Sequence, residues 1–229
     1  MPILGGSPPR VITFDFYGTL VQWHEGLHEV FGSLVRRQAA SSDKTAALAH
    51  KFHAIGRSLR DAPPFTSYRT ILKESLKRAL AENEMSFAEN DYVELIAKIE
   101  NLPPHPEVPA VLKKLKSKYR LALISNSDDD LIMKSVPNLT VALDGVITAQ
   151  QAKAYKPNPQ LFRTAHEKLG VDPSEVIHVA ASMPLDMPVC KELGIRAIWV
   201  NRRNEIGTEA FRPFVEVKNV EEALIHLVD

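Results

Sequence analysis

The sequence predicts an α/β fold, a mostly parallel sheet with helices on both faces and an all-helical unit inserted after the first strand. Three observations carry this. Residues 11–16 form a short apolar run that ends around Asp15 and breaks at Gly18. From about residue 26 to 98, apolar residues recur at spacings of three and four, with no convincing strand. After residue 107, helical and strand patterns alternate to the end. Repeated βα units imply parallel strands joined by right-handed crossovers.

Each element has a local reason. Residues 11–16 read as a buried strand. Leu27, Val30, Phe31, Leu34 and Val35 mark a first helix, and residues 47–59 a second. Tyr68, Ile71, Leu72, Leu76 and Leu80 mark a third, with Ser67 placed to cap it and Pro63-Pro64 separating it from the second. Tyr92, Leu95, Ile96 and Ile99 mark a fourth. A proline-rich linker at 102–107 returns the chain to the sheet. Helices are then expected at 108–115, 128–134, 159–169, 186–193 and 220–227. Strands are expected at 119–124, within 141–149, at 176–180, at 195–200 and near Val215. Gly170 and Gly194 are natural helix C-caps. The expected division is a core of residues 1–21 and 101–229 and a helical cap of residues 22–100. Insertion beside the C-terminal edge of the sheet is expected to place that cap as a lid over the ligand crevice.

Composition narrows the function classes. The chain has 229 residues, with 28 basic and 28 acidic side chains, and no basic block asks for nucleic acid. One cysteine, Cys190, rules out an internal disulfide framework and fits a reducing compartment, with buried filler as its expected role. No apolar run approaches the roughly 20 residues needed to span a bilayer. Residues 1–10 lack an apolar signal core and read as a loose tail, so a cytoplasmic protein is expected.

Four segments end strands with polar groups: Asp15 with Tyr17 and Thr19, Ser125 with Asn126, Lys156 before Pro157, and Ser182 with Asp186. In a parallel sheet these ends converge on one rim. Each has a structural alternative. Ser125 and Asn126 could cap the helix near Asp128, Lys156 could be a surface lysine, and Asp15 could cap a turn. Their coincidence points to one active site. Asp15 is ionised at neutral pH and can attack an sp³ carbon or a phosphoryl group, with Lys156 as the cation that holds an anionic substrate near it. The residue two positions on is Tyr17, a poor ligand for a hard metal. Of the segment 179–186, Asp186 alone offers a carboxylate, and Ala181 is inert.

These motifs, Asp15-Phe16-Tyr17-Gly18-Thr19-Leu20, Ile124-Ser125-Asn126, Tyr155-Lys156-Pro157 and the Asp186 segment, resemble the haloacid dehalogenase superfamily from Arg10 onward. Within it the chain is similar to the L-2-haloacid dehalogenase (type II) branch, with Tyr17 and Thr19 as the sharpest markers. The resemblance implies a Rossmann-like three-layer core with a helical cap. It also implies a two-step hydrolysis without metal or other cofactor, acting on a small anionic organic acid. Asp15 attacks C2 of a 2-haloacid, halide leaves with inversion, and water hydrolyses the aspartyl ester. The resemblance makes Lys156 the holder of the nucleophile, Asp186 the water-directing acid and Thr19 a hydrogen-bond partner near Asp15. It places Tyr17, Ser125, Asn126, Ser182 and Phe162 around the substrate. The resemblance also implies a homodimer.

The chain also departs from that pattern. None of Arg36, Arg37, Arg57 and Arg60 matches the family's halide-binding arginine by a clean motif, and each reads first as a solvated helix charge. Phe162 stands nearest to where family dehalogenases carry a tyrosine, and the Asp186 loop is one residue longer. Trp23, Phe65 and Tyr68 could line a pocket or fill the cap core. The alternatives are a related hydrolase with a different small-acid substrate, a Mg²⁺-dependent small-molecule phosphatase, and a non-catalytic anion-binding protein.

Overall fold

Val11–Phe14 forms β1, and all four of its residues are buried. A strand buried on both faces belongs in the middle of a parallel sheet. The structure is a computed structural model and describes residues 8–227. The tail expected at residues 1–10 therefore lies outside the described residues up to position 7. Helices α1 (Trp23–Arg37), α2 (Lys44–Asp61), α3 (Tyr68–Glu82) and α4 (Glu89–Glu100) follow. Then come α5 (Val108–Lys116), β2 (Arg120–Ser125), α6 (Asp129–Ser135), β3 (Gly145–Thr148) and the short α7 (Ala149–Ala152). The chain continues through α8 (Pro159–Leu169), β4 (Val176–Ala180), α9 (Met183–Leu193), β5 (Arg196–Val200), β6 (Val215–Val217) and α10 (Leu224–Leu227).

The six strands form one sheet in the order β3-β2-β1-β4-β5-β6. Every neighbouring pair is parallel. Strand order reverses across β1, which pairs with β2 on one side and β4 on the other. Such a switch point is where open α/β sheets bind ligands. The register sets Thr13 beside His178 and Phe14 beside Val179. Gly170 and Gly194 end α8 and α9 in the left-handed conformation, at φ 62° and 68°.

By contact the described residues form two compact units. One comprises residues 8–21, 103–126 and 137–227, and the other comprises 22–102 and 127–136. The first carries the sheet. The second is helical, packed around Leu27, Phe31, Leu34, Leu48, Leu72, Leu76 and Leu95, all buried. Trp23 and Tyr68 are buried too.

Segment 127–136 groups with the helical unit for a polar reason. The Asp128 carboxylate accepts hydrogen bonds from the backbone N–H groups of Tyr68 (3.0 Å) and Arg69 (2.8 Å), two orphan donors at the start of α3. Glu100 pairs with both Arg69 and Lys134, and Asp130 pairs with Arg69. Ser125 and Asn126 do not cap α6, whose N-cap residue is Asp128. Ser67 does cap α3, its hydroxyl accepting from Thr70 N–H at 3.3 Å.

The final helix is shorter than the pattern suggests. The Asn219 side chain accepts from Glu222 N–H (2.9 Å), and Glu222 in turn accepts from Lys218 N–H (2.8 Å). These local bonds hold the chain in turns until Leu224.

Candidate active site

The turn after β1 brings Thr19 back to Asp15. Gly18 adopts φ 87°, and its N–H donates to Val21 O (3.0 Å), while Leu20 N–H donates to Phe16 O (2.9 Å). A side chain at that φ would be strained. The Thr19 hydroxyl donates to Asp15 Oδ2 at 2.7 Å and accepts from Ala181 N–H at 2.8 Å, tying the β1 and β4 ends together. Arg202, at the end of β5, donates to Thr19 O (2.9 Å) and pairs with Glu107 (2.6 Å), so the turn is held from behind.

Lys156 arrives on the loop between α7 and α8. Asn126 grips that loop, accepting from Lys156 N–H through Oδ1 (2.8 Å) and donating to Lys156 O through Nδ2 (3.4 Å). The side chain of Lys156 is 1 % exposed and bridges two acids, at 2.9 Å from Asp15 Oδ1 and 2.7 Å from Asp186 Oδ1. Phe162 is fully buried, with its ring 5.7 Å from Lys156 Nζ and edge-to-face with His178 at 5.0 Å. It therefore supports the lysine and the histidine from within the core.

Asp186 lies in the first turn of α9, which begins three residues earlier than expected, with Ser182 as its N-cap residue. An acid there is favoured by the helix N-terminus. His178 Nε2 lies 3.0 Å from Asp186 Oδ1, and His178 Nδ1 lies 2.9 Å from Thr13 Oγ1. Both residues are fully buried. Two buried polar atoms in the cluster have no hydrogen-bond partner, Asp186 Oδ2 and Ser125 Oγ. Tyr17 sits half-buried beside the turn, edge-to-face with Phe16.

Electrostatics separates the two acids. Burial lifts Asp15 above the usual carboxylate range; Lys156 opposes this and Asp186 adds to it. For Asp186 burial acts in the same direction, but Lys156 and His178 together hold it below the usual range. Burial pulls Lys156 down, yet the two carboxylates outweigh it and keep the ammonium above an ordinary lysine. Burial lowers His178, which favours a neutral imidazole.

The structure thus brings together Asp15, Thr19, Lys156 and Asp186, with Asn126 on the lysine backbone and Ser125 buried at the end of β2. Sequence reasoning missed Thr13, His178 and Arg202. The signal was present for two of them: Thr13 and His178 are polar residues inside otherwise apolar strands, and a buried polar side chain needs a partner. Arg37 is committed to ion pairs with Asp91 (2.8 Å) and Glu94 (2.6 Å) within the helical unit.

Two carboxylates bridged by one ammonium, the second of them with an unpartnered oxygen, are groups chemically able to make and then hydrolyse a covalent ester. Comparison with known proteins places the chain among hydrolases. The chain is 28% identical over 217 residues to (S)-2-haloacid dehalogenase 4A of Burkholderia cepacia, covering 89% of this chain and 88% of that protein. It is 24% identical to haloacetate dehalogenase H-2 of a Moraxella species, over 96% of this chain and 97% of that protein. An L-2-haloacid dehalogenase of known structure superposes with TM-score 0.88 at 17% identity, over 97% of this chain and all of the other, which shows a shared fold. The family described as haloacid dehalogenase-like hydrolase matches residues 9–194, and the chain belongs to that family of hydrolases.

Proposed function

We propose that the chain is a 2-haloacid dehalogenase-like hydrolase, acting on a small anionic organic acid through a covalent ester at Asp15. The observation that carries this is the Lys156 ammonium lodged between Asp15 and Asp186, at 2.9 and 2.7 Å. In the first step an Asp15 oxygen forms a bond to C2, and the carbon–halogen pair leaves as halide. In the second, water adds to the Asp15 carbonyl carbon and gives a proton to Asp186 Oδ2. The acyl C–O bond then breaks, the departing alkoxide takes that proton, and Asp15 releases the remaining one to solvent. The names of the relatives support haloacids as the substrate class.

Asp15 is the nucleophile in this reading. Thr19 and Lys156 hold its two oxygens apart and aligned, Ser125 offers a hydroxyl to the substrate carboxylate, and Asn126 fixes the lysine loop. Tyr17, Ser182 and Phe162 shape the surroundings. The donor set does not suit a divalent ion. Mg²⁺ prefers six hard oxygens, the side chains of Tyr17 and Ala181 supply none of use, and an ammonium already occupies the space between the two acids and offsets one of their charges. The same reading carries a cytoplasmic enzyme working as a homodimer, which light scattering checks. Halide release from (S)-2-chloropropionate, lost in Asp15→Asn, is the expected result. Turnover in ¹⁸O water should put label into Asp15 itself. Full turnover by a folded Asp15→Asn protein would refute the reading.

A further inference from the structure

We infer that His178 is a positioning residue for ester hydrolysis, fixing which oxygen of Asp186 faces the attacking water; this rests on the covalent reading above. The chain of contacts is continuous. It runs from Thr13 Oγ1 to His178 Nδ1 (2.9 Å), from His178 Nε2 to Asp186 Oδ1 (3.0 Å), and from Asp186 Oδ1 through Lys156 Nζ (2.7 Å) to Asp15 Oδ1 (2.9 Å).

Hydrogen-bond chemistry gives the chain a direction. An ionised carboxylate only accepts, so the hydrogen between His178 and Asp186 sits on Nε2. A neutral imidazole then has a bare Nδ1, and the Thr13 hydroxyl donates to it. Burial beside the Lys156 ammonium disfavours a second proton on the ring. Among the titratable neighbours Asp186 and Asp15 favour a second proton and Lys156 opposes it, and burial outweighs the two acids; His166 on α8 is itself held low, at about 4, first by burial and then by His178.

The consequence is a carboxylate whose two oxygens are no longer equivalent. Oδ1 takes both donors, Lys156 and His178. Oδ2 is buried and takes none. Lys156 alone could donate to either oxygen after a half-turn of the carboxylate, and the imidazole removes that freedom. Thr13 and His178 are directly paired in register on β1 and β4, so the sheet itself sets the ring. Phe162 closes the other side. A free lone pair held in a fixed place is what a water-directing carboxylate needs, since a misplacement of about 1 Å costs roughly 100-fold in rate.

The test separates the two chemical steps in the full-length enzyme. Quenched single turnover with (S)-2-chloropropionate is followed by intact mass, in wild type, His178→Phe and His178→Gln. Phe keeps the ring shape without a donor, and the Gln amide restores an N–H near the Nε2 position. The expected result is ester formation at the wild-type rate in His178→Phe, ester breakdown slowed by roughly 100-fold, and most of that loss recovered in His178→Gln. Breakdown at the wild-type rate in His178→Phe overturns the proposal, as does equal slowing of both steps. Absence of any Asp15 ester in wild type is a different failure, because it removes the covalent reading and the role of Asp186 with it. Nitrogen-15 NMR of the wild-type imidazole is independent of whether the variants fold. A neutral Nε2–H tautomer at pH 7 supports the proposal, and an Nδ1–H tautomer or an imidazolium refutes it.

Discussion

Replacing Lys156 by Met tests the centre of the site. The ammonium makes two contacts near 3 Å, at 2.9 and 2.7 Å. At an effective dielectric near 20 each contact is worth about 6 kcal/mol of attraction. Burying three ions costs several kcal/mol apiece, so the intact cluster nets far less than the sum of its attractions. The variant keeps both buried carboxylates and removes their shared counter-ion. Thr19 remains on Asp15 and His178 on Asp186, but neither carries a positive charge when the ring is neutral. Loss of one partner from a buried pair costs about 3–5 kcal/mol, and that is the expected fall in unfolding free energy at pH 7. The pH dependence gives the sharper readout. Without Lys156 both acids acquire folded-state pKa values above their unfolded ones. The variant should be relatively most stable below the unfolded value, where both acids are neutral in either state, and lose stability as pH rises through the raised ones. Urea unfolding of wild type and variant from pH 4 to 8 measures the gap between the two curves. A gap that does not widen with pH, or a stability equal to wild type at pH 7, would refute the reasoning.

Other perturbations follow from the same contacts. In the proposed reaction the raised Asp15 attacks as the anion, so kcat/KM should fall on the acid side at a pH above the ordinary carboxylate range. The raised Lys156 should impose no alkaline loss below the usual lysine range; a bell centred near pH 5 would contradict both. Thr19→Val strips a donor from Asp15 and leaves Ala181 N–H unpaired, which should cost about 1–3 kcal/mol by urea denaturation and slow ester formation more than its breakdown. Asp128→Ala leaves the first N–H groups of α3 without their acceptor, with an expected loss of about 1–2 kcal/mol seen as faster amide exchange confined to α3. His166 is held at about 4 against an ordinary 6.5. Its folded value is depressed, so stability present above the unfolded value is lost as pH falls toward the folded one, at most about 3 kcal/mol. His166→Gln should remove that part of the acid sensitivity between pH 6.5 and 4, as measured by urea midpoints.

Much of the architecture was legible because it rests on short-range patterns. Apolar spacings of three and four mark α1 to α4, and their bounds differ from expectation by a few residues at each end. Gly170 and Gly194 stop α8 and α9 because no other residue adopts their φ as cheaply. Asp15, Thr19, Lys156 and Asp186 could be picked out because βα units send the ends of parallel strands to one edge. What escaped depends on partners distant in sequence. Asp128 read only as the start of α6, yet its acceptor oxygens serve α3, sixty residues earlier. Asn126 looked like a substrate contact, yet its amide is spent on the backbone of Lys156. Phe162 looked like a pocket wall, yet it is core beneath Lys156 and His178. His178 needed the β1–β4 register, which no local pattern states.

The two carboxylates illustrate how such distant contacts assign chemistry. Both are aspartates, both touch the same ammonium, and composition cannot rank them. Their second donors differ. Asp15 receives a hydroxyl from its own turn and keeps 9 % of its surface exposed, whereas Asp186 receives an imidazole and is fully enclosed. Burial leaves Asp15 the easier to protonate, while Lys156 and His178 keep Asp186 charged. A pair of like groups pushed apart by their surroundings can take unlike duties. The accessible acid suits attack on a carbon, and the enclosed one, with a single unpartnered oxygen, suits the handling of one water. In the proposed reading that division rests on the strand register and the first turn of α9, so exchanging duties between the two acids would require rebuilding the sheet edge as well as the side chains.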